Sequence, residues 1–150
     1  MQLAYLLHVL GIIVWVGGMF FAYMALRPVA ASVLEPPQRL TLWVGVFDKF
    51  FPWVWVSVAL ILATGLHLLM VFGGMHAPHY ALTMLAFGVI MMLIFGHVFF
   101  APYRRLKRAV AAQDWKAGAA ALGQIRQLIG INLTIGLVTI AVVFLGRWLA

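Results

Sequence analysis

Four stretches of this chain carry no aspartate, glutamate, lysine or arginine and are long enough to cross a lipid bilayer: Leu3 to Leu26, Phe50 to Gly74, Pro78 to Tyr103 and Leu128 to Gly146. A hydrocarbon core of about 30 Å takes about 20 helical residues at 1.5 Å each. No water reaches the backbone in that layer, so a spanning segment must satisfy its own N–H and C=O groups, as a helix does. A membrane barrel would need apolar and polar residues in alternation, and these runs are apolar throughout. The expectation is an all-α integral membrane protein, one domain over 1–150, built as an antiparallel bundle of four transmembrane helices at about 3–26, 50–74, 78–103 and 128–148.

Composition removes the soluble alternative. Hydrophobic residues make up 66% of the chain and charged ones 9%, against about 45–50% and 25% in soluble domains. A small soluble domain has too little interior to hide so much apolar surface. The first run is longer than the roughly 7–15 residues of a signal-peptide core and is read as an uncleaved helix, although Val29-Ala30-Ala31 is a weak cleavage pattern. Cysteine is absent, which removes disulfides, thiolate metal sites and cysteine nucleophiles. The acids are Glu35, Asp48 and Asp114, all outside the apolar runs, so a two-carboxylate mechanism within the membrane is not expected. The sequence contains no phosphate loop, nucleophile elbow, metalloprotease helix pair or channel filter.

The connections fix the order of the helices and their orientation. Glu35-Pro36-Pro37 fits a helix start, and a short amphipathic helix from about Pro37 to Lys49 is expected before helix two. Pro52 should then kink the chain or restart the helix. The second connection, Gly73 to His79, is too short for anything but an antiparallel neighbour. The third, RRLKRAVAAQDWKAGAAALGQIR, is basic and rich in alanine, so helices three and four should extend beyond the bilayer, with Asp114 as an N-cap between them. Arg27, Arg39, Lys49, Arg104, Arg105, Lys107, Arg108, Lys116 and Arg126 fall on one side and Arg147 on the other. The positive-inside rule makes the basic side cytoplasmic and puts both termini outside, as in a bacterial inner-membrane protein. The net charge of +7 then reflects topology and anionic lipid headgroups, not nucleic acid.

Chemistry inside such a bundle falls to its histidines. Residues spaced by three, four and seven share a helix face, so His8, Gly11, Trp15 and Gly18 form one stripe on helix one. Small residues there let a neighbouring helix or a flat ligand come close. His8 and His67 lie at similar depth on antiparallel helices, about seven residues or 10 Å from the outer ends, with Met75, His76 and His79 in the connection above them. His97 lies near the inner side, with Asn132 of helix four and Gly18 at its level. Tyr103 and Trp148 fit interface anchoring.

Two cofactor chemistries suit the outer layer. Imidazole with thioether holds copper, Cu(I) in particular, through His8, His67, His76, His79 and Met75. Alternatively, facing histidines clamp a haem b iron, with His8, His67 or His97 as axial ligands and Gly11, Trp15, Gly18 and Asn132 around the slot. A bundle that binds nothing, each histidine bonded to backbone, is the bland third reading.

LHVLGIIVWVGGMFF, with a histidine, a tryptophan seven residues on and a double glycine, resembles the first helix of the CopD-type copper-resistance membrane proteins. The likeness continues in ATGLH of helix two and in IRQLIGINLTIGLVTIAVVFLGRW at the end of the chain. It implies a copper-binding inner-membrane protein for copper uptake or delivery, with His8 and His67 as inner ligands and His76, His79 and Met75 as capture ligands. A weaker resemblance links helix one to HemJ-type protoporphyrinogen oxidases, but helix four reads Ile131-Asn132-Leu133-Thr134 where that family has an asparagine–glutamate–proline pattern. The partners expected are the anionic bilayer, a periplasmic metal or electron donor, and a second copy of the chain in which His97 finds a partner.

Overall fold

A computed structural model describes residues 1–149. It contains α1 (Gln2–Phe21), a π turn (Ala22–Leu26), α2 (Arg27–Val33), α3 (Pro36–Val71), a 3-10 turn (Gly74–His76), α4 (His79–Phe100), α5 (Pro102–Ala111) and α6 (Trp115–Leu149). Four continuous stretches, Gln2–Val33, Pro36–Val71, His79–Ala111 and Trp115–Leu149, are long and apolar enough to span a membrane. The all-α four-span reading therefore stands.

The boundaries shift for identifiable reasons. The expected amphipathic helix and the second span are one helix: α3 runs unbroken through Pro52, and its 36 residues reach about 54 Å, well beyond a hydrocarbon core of about 30 Å. In the first span, Pro28 has no N–H to give the preceding turn. That turn widens, and the Arg27 N–H bonds the Ala22 carbonyl five residues back. In the third, Ala101 precedes Pro102, which disfavours the helical region, and its backbone leaves it at φ −118°, ψ −85°. Asp114 caps α6 as expected, its carboxylate accepting the Ala117 N–H at 3.2 Å.

The bundle is two helical hairpins side by side. α1 packs along α3, and α4 and α5 pack along α6. Aromatic rings join the halves: Trp15 meets Phe95 edge-on at 6.1 Å, and Phe51 meets Phe95 at 5.4 Å and Tyr103 at 4.8 Å. Helix α6 adds three notches: Gly118 and Gly130 face Leu40 and Tyr23 of the first hairpin, and Gly136 faces both Val16 of that hairpin and Met91 of its own. Each gap is one Cβ deep, the small-residue contact that brings membrane helices together. Outward, the surface is leucine, valine, isoleucine and phenylalanine, matched to lipid rather than water.

Tyr103 corrects an expectation. It is no interface anchor but a core residue, 2% exposed, whose hydroxyl donates to Asp48 on α3. Trp148 stays on the surface.

Candidate functional site

His8 is the one histidine among the described residues that lies inside the bundle, at 6% exposure. It sits on the face of α1 that also buries Gly11, Trp15 and Met19. Its partner is Thr64 of α3: Nδ1 lies 2.9 Å from the threonine Oγ1. The threonine hydroxyl donates its single proton to the Leu60 carbonyl at 2.5 Å, so toward His8 it can only accept. This assigns the proton to Nδ1 and the lone pair to Nε2, and the ring also meets the Ile61 backbone. Metal-binding histidines are prepared in this way, one nitrogen tethered and the other available. Gly65 makes room for the ring, since a Cβ there would stand 3.2 Å from the His8 Cε1.

Removing the tether should be measurable. Thr64→Val should lower bundle stability by about 0.6 kcal/mol, and by no more than about 1.7, the range of hydrogen bonds between membrane helices. Reversible unfolding in mixed micelles would check it; an unchanged midpoint would mean that the imidazole finds another acceptor.

The other histidines do not join His8. His67 is exposed on α3, so the expected His8–His67 pair is replaced by His8–Thr64. His97 is exposed as well and does not face Asn132, which is buried and donates from Nδ2 to the Met91 carbonyl at 3.2 Å. Among the described residues no three histidine or acidic side chains converge as a metal-holding group.

The glycines foreseen as one wall of a slot are already filled. A Cβ on Gly11 would stand 2.9 Å from Ile61 Cγ1, and one on Gly18 would overlap the Phe50 ring. Trp15 is packed against Phe95. With those gaps taken and His67 facing outward, the residues do not fit a haem clamped between His8 and His67.

Three of the other imidazoles, His67, His76 and His79, and two thioethers, Met70 and Met75, lie toward one end of the fold. α3 ends at Val71, and the chain turns through Gly73 (φ 103°) and Gly74 (φ 63°), backbone conformations that favour glycine. The turn raises Met75, 77% exposed, and His76, while His79 opens α4 and is exposed too. Met70 is exposed on the last turn of α3, and its sulfur lies 4.0 Å from where a Cβ on Gly74 would stand. His67 is one helical turn below Met70. These are soft and borderline donors on an accessible rim, without a carboxylate among them.

Sequence reasoning missed Thr64, although it stands beside His67 in ATGLH. The missed signal was the buried series Ser57, Thr64 and Leu68, whose helical spacing marks the face turned to α1.

The sequence matches the family described as copper resistance protein D over residues 44–145. That match holds Thr64, His67, the glycine turn and Asn132, whereas α1 with His8 lies before it. Searches of curated proteins and of solved structures gave no match. A multi-pass bundle whose rim is built from imidazole and thioether, matched across more than half its length to one family, belongs to that family: the chain is a member of the copper resistance protein D (CopD) family.

Proposed function

We propose that this protein handles copper as cargo, taking it up or handing it over at the membrane end where α3 meets the Gly74–His76 turn. In this reading His67, Met75, His76 and His79 are capture ligands, and His8 is the buried ligand beneath them. The observation that carries it is the family match, because the matched residues include the exposed donors of that rim. Donor chemistry supports it: thioether and neutral imidazole suit Cu(I), and among the described residues no carboxylate belongs to that rim. Exposed donors that do not close into a fixed site favour exchange over storage. The free Nε2 of His8, set by the Thr64 hydroxyl, supplies the next ligand inward. The positive-inside rule supports an outward-facing rim in a bacterial inner membrane, with both termini on the same side.

Titration of the detergent-purified protein with Cu(I) against a chromophoric chelator tests the reading. The wild type should withdraw copper from the chelator. Met75→Leu/His76→Ala/His79→Ala should weaken that competition by about tenfold or more, and His8→Ala by a comparable step. A wild type that leaves the chelator saturated, or a triple variant that competes as well as the wild type, would overturn it.

A further inference from the structure

At the opposite end from the histidine rim, the two hairpins enclose a cavity of about 270 Å³ between the π turn, the start of α3 and α6. Three arginines line it, Arg27, Arg39 and Arg126, with Tyr23 beside them and Trp43 and Phe47 on the apolar wall. Among the described residues no acidic one lines it. Of the acidic side chains, Asp48 accepts from Tyr103 and Asp114 caps α6, while Glu35, which precedes Pro36 of the lining, is exposed and is not itself a lining residue.

Two of these arginines are held, yet not neutralised, and Arg126 is exposed at the cavity's edge. Arg39 donates from Nη2 to the Leu34 carbonyl at 3.2 Å, while its Nε is buried with no acceptor. Arg27 donates from Nε to the Tyr23 carbonyl at 3.2 Å, and its guanidinium lies 4.3 Å over the Tyr23 ring. Both contacts join residues four apart across the widened turn, a helical irregularity found often at functional sites. A buried guanidinium N–H without an acceptor is costly to keep. Like charges gathered around a cavity add to that cost unless an anion joins them.

We propose that this cavity binds a phosphate-bearing anion, with the Arg39 fork as its inner donor and Arg27 and Arg126 flanking it. Guanidinium groups match phosphate oxygens in geometry and charge. The cavity is smaller than the roughly 300–1,000 Å³ of pockets that engulf a drug-sized ligand, so it takes a headgroup-sized anion. Its wall of Trp43 and Phe47 suits the glycerol and first acyl carbons of a phospholipid, and basic pockets between membrane helices are where such headgroups are recognised. A free phosphate would use the same arginines without that wall.

Native mass spectrometry of the full chain in detergent, mixed with phosphatidylglycerol and phosphatidylcholine of identical acyl chains, provides the test. The wild type should retain phosphatidylglycerol preferentially, and Arg39→Gln/Arg126→Gln should lose the preference by about fivefold per arginine. Arg104→Gln/Arg105→Gln removes the same charge outside the cavity and should leave the preference intact. Arg39→Lys, which keeps the charge and so protects the fold, should still lower retention because the planar fork is gone. Inorganic phosphate distinguishes the sources: retention that it cannot displace assigns the site to a lipid, and binding of phosphate itself assigns it to a soluble anion. The inference is overturned if the wild type binds neither in preference, or if the control pair costs as much as the cavity pair.

Discussion

Replacing Tyr103 with alanine is expected to lower the stability of the bundle by about 3–5 kcal/mol, the cost of deleting a buried aromatic side chain. The ring stands where the hairpins meet, 4.8 Å from Phe51, 6.0 Å from Phe47 and 5.7 Å from Phe99 between centroids. Its loss opens a hole that three other aromatic rings line, and lipid cannot fill a hole in the interior. Tyr103→Phe separates the hydroxyl from the ring. Asp48 is exposed and recovers water when its donor goes, so that change should cost only about 1 kcal/mol. Unfolding in mixed micelles gives both numbers. Equal losses for the two variants would mean that the hydrogen bond, not the ring, joins the hairpins.

Gly11→Leu is the second large effect. A Cβ at this position would stand 2.9 Å from Ile61 Cγ1 and 3.3 Å from the Ser57 carbonyl oxygen. The isoleucine can turn away, but the carbonyl belongs to the α3 backbone, so the helices must part. Overpacking of this kind costs about 1–3 kcal/mol, and it falls one helical turn from His8 and Thr64, whose 2.9 Å contact would open. Gly17→Leu is the matched control, because nothing lies within 4 Å of a Cβ there, and it should be nearly neutral. Copper competition should fall for Gly11→Leu and hold for Gly17→Leu. Identical behaviour of the two variants would remove the close approach of α1 and α3 from the account.

The same geometry explains how far the sequence could be read. Uncharged runs announced four spans because lipid imposes length and hydrophobicity on each helix independently. Rotation about a helix axis is set by neighbours, and there the reading divided. His8 was placed correctly because Gly11 and Trp15 mark its face. His67 was not: it lies about 90° from the face defined by Ser57, Ile61, Thr64 and Leu68. His97 lies about 130° from the face of Met91, Phe95 and Val98. Depth along the axis had suggested a histidine layer, but depth says nothing of direction. Tyr103 at the end of an apolar run was indistinguishable from an interface anchor until Asp48, half the bundle away in sequence, was seen to receive its hydroxyl. Pro52 suggested a break, yet α3 runs through it with Phe51 and Val54 buried on either side. The arginine cavity had no local signature, since its three arginines come from three separate segments.

The notches of α6 bear on how the protein is made. Each hairpin completes its backbone hydrogen bonds by itself and is a finished passenger for the insertion machinery. Only side-chain docking remains for the later step in the plane of the bilayer, when Val16, Tyr23 and Leu40 find Gly136, Gly130 and Gly118. Damage to those glycines would therefore yield a chain that enters the membrane normally and docks its hairpins less closely afterwards, a defect for cellular quality control to detect rather than for translocation to refuse.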